Sequence, residues 1–487
     1  MKLQEVLKFS QTIKIQGSEN PEIEHIQIDS RNILKNDLFA AIKGYETDGH
    51  LFIDKAIEMG ATAILCEDMP ENLNENVTYI KVADTRVSLA ECNKSFYNDP
   101  SSKLNLIGVT GTNGKTSIAT LLYELFTSLG YKSGLISTIS TIIDKEKTPA
   151  SLTTPDPIAI HNLLSEMVKQ GCKYCFMEVS SHAVVQLRTH ELTFKGGIFT
   201  NLTQDHLDFH KTMHAYAEAK KQFFDMIPTN GFVVTNSDSE YGDFMVNDTN
   251  AKKITYALNN NANFKASIEH QDFSGMTLNI NGNSCKVKFT GEFNAYNIMA
   301  VYATAAQFIT DEEKIQEKLS LLAHVAGRFN IIRRKDGLTA IVDYAHTPDA
   351  VAKVLMAINK VNNQQGKVIT IVGAGGNRDK TKRPIMAQEA YKNSDFVVLT
   401  SDNPRFEDPE MIIEDMAAGL KDEDANCFAK ITDRGEAIKY AIEKSNPKDI
   451  ILLAGKGHED YQIIQGVKHH FDDREMVAEL FEAQVSI

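Results

Sequence analysis

A glycine-bearing loop followed by Lys115 and Thr116 is the clearest candidate for chemistry. In LIGVTGTNGKTSIATLLYELF (residues 106–126), the loop stands between an apolar strand and an amphipathic helix. Its glycines permit close approach of the backbone to phosphates, the lysine can reach the outer phosphates, and the threonine can ligate Mg²⁺. Val109 stands where the full G-x-x-x-x-G-K-[ST] pattern has glycine, so we interpret the loop as a shortened ATP site.

Two further polar stretches follow apolar segments. Glu178, in CFMEVSSHAVVQLR, ends a predicted strand and could meet a metal on the phosphates. A serine hydrolase is disfavoured because G-x-S-x-G is absent. Lys220 lies in a predicted helix, where composition alone indicates a surface lysine. Four side chains after another strand suggest metal or substrate contacts, although a solvated loop has the same spacing: Asp205, His206, Asp208 and His210.

Basic residues cluster in the last third of this acidic chain. The polar stretches that carry or accompany them are DYAHTPDA (343–350), GAGGNRDKTKRP (373–384), SDNPRFEDP (401–409) and AGKGHEDYQ (454–462). A nicotinamide site is disfavoured, since arginine replaces the last glycine of G-x-G-x-x-G. Five cations suit a carboxylate or a phosphate, because arginine binds both bidentately. They are Arg378, Lys380, Lys382, Arg383 and Arg405.

The elements that must position these residues alternate between strands and helices, which predicts an α/β fold. The 487 residues suggest three units, which we place at residues 1–100, 101–330 and 331–487. The first unit alternates short strands and helices. The middle unit should hold a mostly parallel sheet covered on both faces, with strands at 104–110, 134–141, 173–179, 196–202 and 231–236 and helices at 115–129, 156–170, 212–227 and 295–309.

Two other patterns complete this organisation. The stretch SGMTLNINGNSCKV (274–287) alternates and contains Asn-Gly, which predicts a hairpin. The third unit should form a second open, Rossmann-like sheet with its ligand loops at the carboxyl ends of the strands. Its predicted strands are 338–343, 367–373, 395–400 and 449–454.

Composition and charge exclude several classes of partner. The net charge of −14 argues against nucleic acid, because a duplex needs a cationic footprint. No run approaches 18 apolar residues, and the first residues lack the apolar core of a signal peptide, so we expect no membrane span. Six cysteines are spread thinly. Cys172 and Cys175 fall in an apolar strand, which favours core thiols and a cytoplasmic location.

Three reaction classes remain open from these residues. A phosphate loop with extra carboxylates fits a kinase-like transferase, a switch or motor NTPase, or an ATP-dependent ligase that makes an acyl phosphate for an amine to attack. A switch NTPase needs one ligand domain and a partner interface, whereas a ligase needs two more substrate sites. Three units supply those sites, so the ligase is favoured.

The motifs taken together resemble the Mur ligase family over essentially the whole chain, in the right order. They are GTNGKT (111–116), EVSSH (178–182), TNLTQDHLDFH (200–210), YAEAK (216–220), GEFNAYN (291–297), GR (327–328), DYAHTPDA and GKGHEDYQ. Four shorter motifs resemble the branch of the family that adds meso-diaminopimelate: DSR (29–31), DGH (48–50), TTPD (153–156) and DNPR (402–405).

The resemblance implies a specific reaction in peptidoglycan precursor synthesis. ATP would phosphorylate the D-Glu γ-carboxylate of UDP-MurNAc-L-Ala-D-Glu, and the amine of meso-diaminopimelate would attack the acyl phosphate. It also implies a three-domain architecture with a UDP-binding, an ATP-binding and an amino-acid-binding domain, two Mg²⁺ ions, and a monomer. The family carbamylates the lysine that matches Lys220 with CO₂, which makes it a metal ligand (N6-carboxylysine).

The resemblance also assigns residues. The catalytic set would be Lys115, Glu178, His206 and Lys220, and Thr116 would join the last three in holding metal. ATP would contact Gly111, Thr112, Asn113, Gly114, Lys115, Thr116, Ser117, Asn294, Asn297, Arg328 and Asp343. UDP-MurNAc-dipeptide would contact Ile28, Ser30, Tyr45, Glu46, Thr47, Thr153, Thr154, Ser180, Gln186 and Arg188. Diaminopimelate would contact Arg378, Asp402, Asn403, Pro404, Arg405, Gly455 and Glu459.

Two departures and three alternatives accompany this interpretation. Residues 44–47 read GYET, so contacts there would use the backbone, and Asn377 replaces a common aspartate. The same ligase could add L-lysine, but DNPR argues against it. A folylpolyglutamate synthase is disfavoured by the DSR-bearing first unit. A non-enzymatic ATP-binding scaffold is disfavoured by the intact catalytic set.

Overall fold

The computed structural model describes residues 1–17, 20–44, 47–421 and 427–483. Its strands form three successive large sheets and one small hairpin sheet. The residues Tyr45 and Glu46, which the resemblance assigns to the UDP end of a substrate, lie outside the described residues. No helix among the described ranges is long and apolar enough to cross a membrane.

The first sheet has five strands in the order β1-β5-β4-β3-β2, parallel except for β1. The strands are β1 (Thr12–Gln16), β2 (Ile26–Gln27), β3 (Asp37–Ala40), β4 (Ala61–Cys66) and β5 (Thr78–Val82). The helices are α1 (Leu3–Val6), α2 (Ile53–Met59) and α3 (Thr85–Phe96). Buried side chains from both faces of β3 and β4 form two small cores, as expected for a parallel sheet covered on both sides.

The middle sheet has eleven strands in the order β16-β15-β14-β13-β12-β11-β6-β10-β7-β8-β9. They are β6 (Asn105–Thr110), β7 (Ser133–Ile136), β8 (Ser140–Ile143), β9 (Glu146–Pro149), β10 (Tyr174–Glu178), β11 (Gly196–Phe199), β12 (Phe232–Asn236), β13 (Lys252–Ala257), β14 (Phe264–Asp272), β15 (Gly275–Ile280) and β16 (Asn283–Val287). The strands from β14 to β7 pair in parallel, and antiparallel hairpins extend both edges.

Eight helices of this part of the structure cover or flank the sheet. They are α4 (Lys115–Ser128), α5 (Pro157–Lys169), α6 (Ser181–Val185), α7 (Leu207–His210), α8 (Met213–Asp225), α9 (Gly242–Val246), α10 (Glu292–Ala305) and α11 (Glu312–Leu321). Successive side chains of a strand point to opposite faces, so Ile107 of β6 packs in one core and Leu106 in the other. The interior of the central strand, residues 106–109, therefore carries no polar side chain, and the polar residues of the loop begin where the strand ends.

The third sheet has six strands in the order β17-β18-β22-β19-β20-β21, with β17 antiparallel. The strands are β17 (Asn330–Arg333), β18 (Thr339–Asp343), β19 (Val368–Val372), β20 (Phe396–Leu399), β21 (Phe428–Lys430) and β22 (Ile450–Ala454), and β23 (Tyr461–Ile464) pairs with β24 (Val467–His470) as a separate hairpin. The helices are α12 (Pro348–Asn362), α13 (Lys382–Lys392), α14 (Pro409–Ala417), α15 (Arg434–Lys444) and α16 (Asp473–Ala483).

The predicted α/β fold class and the hairpin are confirmed. Asn281 and Gly282 join β15 to β16 with φ of 49° and 96°, the positive pair that a tight type I′ turn requires. The single strand predicted at 134–141 is wrong, because it divides into β7 and β8. Ser137 and Ser140 close that turn through three hydrogen bonds. The Ser140 carbonyl oxygen accepts from the Ser137 N–H (3.1 Å) and Ser137 Oγ (2.8 Å), and the Ser140 N–H donates to Ser137 Oγ (3.2 Å).

Candidate active site

The loop after β6 is shaped by two glycines with left-handed backbones. Gly111 has φ of 147°, and a Cβ there would lie 1.8 Å from Thr200 Oγ1. Gly114 has φ of 91°, and a Cβ there would lie 2.7 Å from Asn297 Oδ1. Neither position accepts a side chain without movement. The loop therefore presents bare backbone in front of the N-terminus of α4, the arrangement that binds phosphate.

Two lysine ammonium groups share one carbonyl oxygen in this loop. Lys115 Nζ and Lys220 Nζ each donate to the Gly111 carbonyl oxygen at 2.9 Å, and Lys115 also donates to the Thr112 carbonyl oxygen at 2.8 Å. Lys220 is 1% exposed, so the surface position indicated by composition is wrong. Burial lowers the pKa of both lysines, and the nearby Lys115 charge lowers the pKa of Lys220 further.

Glu178 lies at the carboxyl end of β10, next to the loop, and is fully buried. Its Oε1 accepts from the Thr138 N–H (2.7 Å) and its Oε2 accepts from Thr138 Oγ1 (3.1 Å). The β7–β8 turn that sequence reasoning missed thus orients the carboxylate. Each oxygen keeps a free lone pair in this arrangement, so the carboxylate can also ligate a hard cation.

His206 lies between the middle sheet and the third sheet, with φ of 55°. Its Nε2 is 3.4 Å from Asp205 Oδ2, and Asp205 Oδ1 is 3.7 Å from Lys382 Nζ. Burial lowers the pKa of His206 to about 3, so the imidazole is neutral at neutral pH, the form that binds metals.

The fit of these residues to magnesium can be judged from the donors. Within the described ranges, no group of three or more His, Cys, Asp or Glu side chains forms a ready-made metal site. Glu178 and His206 line the same cavity as the hydroxyl-bearing Thr116. Mg²⁺ usually binds through one or two protein oxygens together with phosphate oxygens and water. The donor set fits a metal that arrives with a nucleotide.

Residues in and next to the third sheet lie close to the phosphate loop. Arg328 Nη2 donates to Thr116 Oγ1 (3.1 Å), and its guanidinium carbon lies 4.5 Å from the centroid of the Tyr344 ring. Asp343, at the end of β18, accepts from the Phe329 N–H (2.7 Å), and burial raises its pKa. Arg328 thus connects the first turn of α4 to the segment that bonds the carboxyl end of β18.

Two arginines form the basic side of a second pocket. Arg405 has φ of 55° and donates through Nη1 to the Gly376 carbonyl oxygen at 2.7 Å. Burial, and then the charge of Arg378, lower the pKa of Arg405. In the described part of the chain, no carboxylate oxygen lies within 4.0 Å of the guanidinium nitrogens of Arg378 or of Arg405. The pair is therefore a preformed site for an anion.

Two carboxylates form the acidic side of the same pocket. Asn403 Nδ2 donates to Glu459 Oε2 (2.8 Å) and, more weakly, to Asp402 Oδ1 (3.3 Å). Burial, and then the charge of Asp402, raise the pKa of Glu459. Gly455, with φ of 116°, brings the backbone close to Asp402. Cationic and anionic groups thus face one another across a space for a molecule with both charges.

One cavity of 370 Å³ joins the phosphate loop to this pocket. Most of the residues that sequence reasoning assigned to a site line it: Thr112, Asn113, Gly114, Lys115, Thr116, Ser117, Thr153, Glu178, Ser180, His206, Lys220, Asn297, Arg328, Asp343, Arg378, Asp402, Asn403, Arg405, Gly455 and Glu459. Residues from motifs that are far apart in the sequence therefore line the same cavity.

Comparisons with known proteins agree with this site. Residues 22–97 match "Mur ligase family, catalytic domain", residues 109–305 match "Mur ligase middle domain", and residues 327–457 match "Mur ligase, glutamate ligase domain". A relative from Phocaeicola vulgatus, UDP-N-acetylmuramoyl-L-alanyl-D-glutamate–2,6-diaminopimelate ligase, is 54% identical over 99% of both chains. The chain belongs to the Mur ligase family. Members of this family use ATP.

Solved structures show the same Mur ligase architecture. A structure of UDP-N-acetylmuramoyl-L-alanyl-D-glutamate–2,6-diaminopimelate ligase aligns with a TM-score of 0.70 and 33% identity, over 100% of this chain and 99% of that one. A Mycobacterium tuberculosis folylpolyglutamate synthase complexed with ADP and AMPPCP aligns with a TM-score of 0.59 and 16% identity. That alignment covers 76% of this chain and 92% of the synthase, and it supports the shared fold alone.

A second cavity of 480 Å³ adjoins the phosphate loop and contains residues that sequence reasoning missed. Tyr296 and Asp238 line it, and the Tyr296 hydroxyl donates to Asp238 Oδ2 (2.9 Å). Asn297 lines both cavities, whereas Asn294 lines neither. The Asn294 side chain donates to the Thr290 carbonyl oxygen (2.9 Å) and accepts from Asn297 Nδ2 (3.2 Å), so it holds its neighbour in place.

Other assigned residues lie outside both cavities. Arg188 donates through Nη1 to the Thr154 carbonyl oxygen (2.7 Å) and through Nε to Gln186 Oε1 (2.9 Å). This network lies beside Glu178, whose carbonyl oxygen accepts from Thr154 Oγ1 (2.8 Å). The remaining residues that line neither cavity are Gly111, Pro404, Ile28, Ser30 and Thr47. The last three lie in the first sheet's part of the chain, so the two cavities do not include the proposed UDP contacts.

Proposed function

We propose that this protein is an ATP-dependent amide ligase. It would join meso-2,6-diaminopimelate to the D-Glu γ-carboxylate of UDP-MurNAc-L-Ala-D-Glu in peptidoglycan precursor synthesis. The observation that carries the proposal is one cavity in which the phosphate loop faces two arginines and two carboxylates, and neither arginine has an ion-pair partner among the described residues. The relative that is 54% identical over 99% of both chains is named as that ligase.

The first step activates the carboxylate. The bare backbone from Gly111 to Ser117 and the N-terminus of α4 would hold the phosphates of ATP in line with the γ-carboxylate. The Lys115 ammonium would move from its backbone acceptors to the transferred phosphoryl group and stabilise its charge. One carboxylate oxygen then bonds to phosphorus as the bond to ADP breaks, which gives an acyl phosphate and ADP.

Two magnesium ions are expected at the same place. Thr116 and Glu178 would hold one, and His206 with a carbamylated Lys220 would hold the other. When bound, the metal neutralises negative charge on the phosphates. Carbamylation requires a neutral amine that attacks CO₂, and the burial of Lys220 together with its lowered pKa supports this modification.

The second step consumes the acyl phosphate. The amine nitrogen of diaminopimelate attacks the acyl carbon, the tetrahedral intermediate loses phosphate, and the nitrogen gives up a proton. Arg378 and Arg405 would bind the distal carboxylate, while Asp402 and Glu459 would bind the distal ammonium. The backbone of Pro404, the side chain of Asn403 and Gly455 would complete the pocket.

The remaining substrate contacts and the general organisation follow the same proposal. The dipeptide would lie along Thr153, Thr154, Ser180, Gln186 and Arg188, and the uridine diphosphate along Ile28, Ser30 and residues 45–47. Asn297, Arg328 and Asp343 would contact the rest of ATP, and Asn294 would support Asn297. We place the domains at residues 1–100, 101–330 and 331–487. A cytoplasmic monomer is expected, since one chain supplies the whole cavity.

Phosphate release by the purified protein tests the proposal. ATP, Mg²⁺ and UDP-MurNAc-L-Ala-D-Glu are mixed with meso-diaminopimelate, with L-lysine, or with no amino acid. We expect release that depends on diaminopimelate and is far slower with lysine, because lysine has no distal carboxylate for the arginines. Equal or faster turnover with lysine would refute the proposed specificity for diaminopimelate. Addition of glutamate to a folate substrate would refute a role in peptidoglycan precursor synthesis.

A further inference from the structure

Two separate loops of the third sheet carry the arginines of the pocket. Arg378 lies in the loop after β19, and Arg405 lies in the loop after β20. A Cβ on Gly375 would lie 2.9 Å from Arg405 Nη1 and 3.9 Å from Arg378 Cγ, so both side chains pass the same glycine. Like charges repel one another, yet a bidentate carboxylate site needs the two guanidinium groups close together. Other groups therefore have to fix the spacing of the two loops.

Three backbone N–H groups donate hydrogen bonds from one of these loops to the other. The Gly376 N–H donates to the Asn403 carbonyl oxygen (2.9 Å). The Phe406 N–H donates to Asn377 Oδ1 (3.2 Å), and the Asn377 N–H donates to Glu407 Oε1. The first two bonds join the loops directly, and the third ends on a carboxylate.

Glu407 fastens the joined loops to helix α13. Its Oε1 accepts from Arg383 Nη2 and its Oε2 accepts from Arg383 Nη1, both at 3.0 Å, and Oε2 lies 3.1 Å from Lys380 Nζ. The Arg383 side chain is 1% exposed, and it also donates to the Gly375 carbonyl oxygen (3.3 Å). Hydrogen bonds from Arg383, and then from the Asn377 N–H, lower the pKa of Glu407 to about 2. The carboxylate is therefore ionised at neutral pH and held from two sides.

Glu407 has no role in the steps of the proposed reaction, and it lines neither of the two cavities. We propose that Glu407 is a positioning residue that fixes the spacing of Arg378 and Arg405 for the distal carboxylate of the substrate. This inference rests on the proposed function, because that function supplies a substrate with a distal carboxylate. It adds a residue that acts through the two loops and does not touch the substrate.

The kinetics of Glu407→Ala test the inference. KM for diaminopimelate should rise about tenfold, the lower end of the effect of losing one charged hydrogen bond. At saturating diaminopimelate, kcat should stay within about twofold, because the variant weakens binding of the ground state and transition state alike. Lysine has no distal carboxylate, so its kcat/KM should change by less than about threefold. An unchanged KM for diaminopimelate, or an equal loss with lysine, overturns the inference.

Asp415→Ala is the matched control. Asp415 lies in α14 and accepts from Arg383 Nη1 at 2.8 Å, so this variant removes the other carboxylate from the same arginine. KM for diaminopimelate should stay within about twofold of wild type, since Glu407 still holds both loops. A rise equal to that of Glu407→Ala overturns the inference, because any disturbance of Arg383 would then suffice.

A double variant keeps the test decisive if Glu407→Ala folds poorly. Arg383→Met combined with Glu407→Ala removes the buried charge together with its partner, a change that proteins often tolerate. If Glu407 served only to neutralise Arg383, the double variant would recover the wild-type KM for diaminopimelate, and that result overturns the inference. We expect KM to stay raised about tenfold, as in the single variant.

Hydrogen exchange without substrate separates this inference from the proposed function. Exchange at the Gly376 and Phe406 amides is measured by mass spectrometry in wild type, Glu407→Ala and Asp415→Ala. Protection of both amides should be lost in Glu407→Ala and kept in Asp415→Ala, because these two bonds join the loops without involving Glu407 itself. Equal protection in all three proteins overturns the role of Glu407. If wild type does not use diaminopimelate, the proposed function fails, and the exchange data still decide whether Glu407 holds the loops together.

Discussion

Arg405 gives the sharpest test of how the pocket selects its amino acid. Its guanidinium is half-buried beside Arg378 and, among the described residues, donates a hydrogen bond to the Gly376 carbonyl oxygen at 2.7 Å. Hydrogen bonds between charged groups contribute about 1.5–3 kcal/mol. One such contribution corresponds to about a 10- to 150-fold change in affinity. Arg405→Ala should therefore raise KM for diaminopimelate by that factor.

The comparison with L-lysine separates recognition from general damage. Lysine has no distal carboxylate, so its kcat/KM should change by less than about threefold in the same variant. The preference for diaminopimelate over lysine should thus fall by about 10- to 150-fold. Arg405→Lys should behave more like alanine than like wild type, because an ammonium cannot form the bidentate pair. Arg333→Ala, which removes an exposed arginine from β17, serves as the matched control.

The assay is phosphate release at saturating UDP-MurNAc-L-Ala-D-Glu, with diaminopimelate, lysine and ATP varied in turn. KM for ATP should stay within about twofold of wild type, since the phosphate loop lies at the other end of the cavity. A parallel rise in KM for ATP and diaminopimelate would remove Arg405 from the pocket. An equal loss with lysine would mean that the arginine shapes the loop rather than binding the carboxylate.

Three further outcomes follow from buried charges. Lys220→Ala should be nearly inactive and partly rescued by short carboxylates in the phosphate-release assay; normal activity would end the carbamate hypothesis. Asp473→Ala leaves the buried Arg434 unpaired and should lower the free energy of urea unfolding by about 3–5 kcal/mol, whereas Arg434→Met with Asp473→Leu should recover much of it. Burial lowers the pKa of His346 from 6.5 to about 4, so the unfolded chain binds more protons and stability falls below about pH 6.5; His346→Gln should flatten that fall in thermal melts, and an unchanged slope would contradict it.

Short sequence motifs predicted most of the residues of the site, because the residues of each motif lie close together in the chain. The residues Lys115 and Thr116 follow a strand and begin a helix, and Glu178 ends a neighbouring parallel strand. Parallel strands place their carboxyl ends at one edge, so sequence order alone brings these residues together. The resemblance added the assignments that depend on other parts of the chain.

The sequence could not predict which side chains are buried or which residues they contact. Lys220 looks like any helical lysine until the fold places its ammonium on the Gly111 carbonyl oxygen. The β7–β8 turn was missed because residues 137–139 contain no Gly, Pro, Asn or Asp, and the bond from Thr138 to Glu178 is a tertiary contact. Lys456 has no recognisable charge pattern in sequence, since its partners Asp402 and Glu459 lie 54 residues upstream and three residues downstream. Such features follow from three-dimensional proximity and not from spacing.

The distribution of paired and unpaired charges explains where the chemistry lies. Arg434 and Arg383 are buried and bonded to carboxylates, and they lie outside the cavity that joins the phosphate loop to the arginine pocket. Of the cations that line this cavity, Lys115 and Lys220 bond to a backbone oxygen and the two pocket arginines lie beside each other. Lys353 and Lys382 instead lie within ion-pair distance of Asp349 and Asp205. Buried cations without carboxylates are costly, and substrates with phosphate and carboxylate groups would supply the missing charge. An acidic chain can therefore bind anionic substrates, because several of the cations that line one cavity have no carboxylate partner among the described residues.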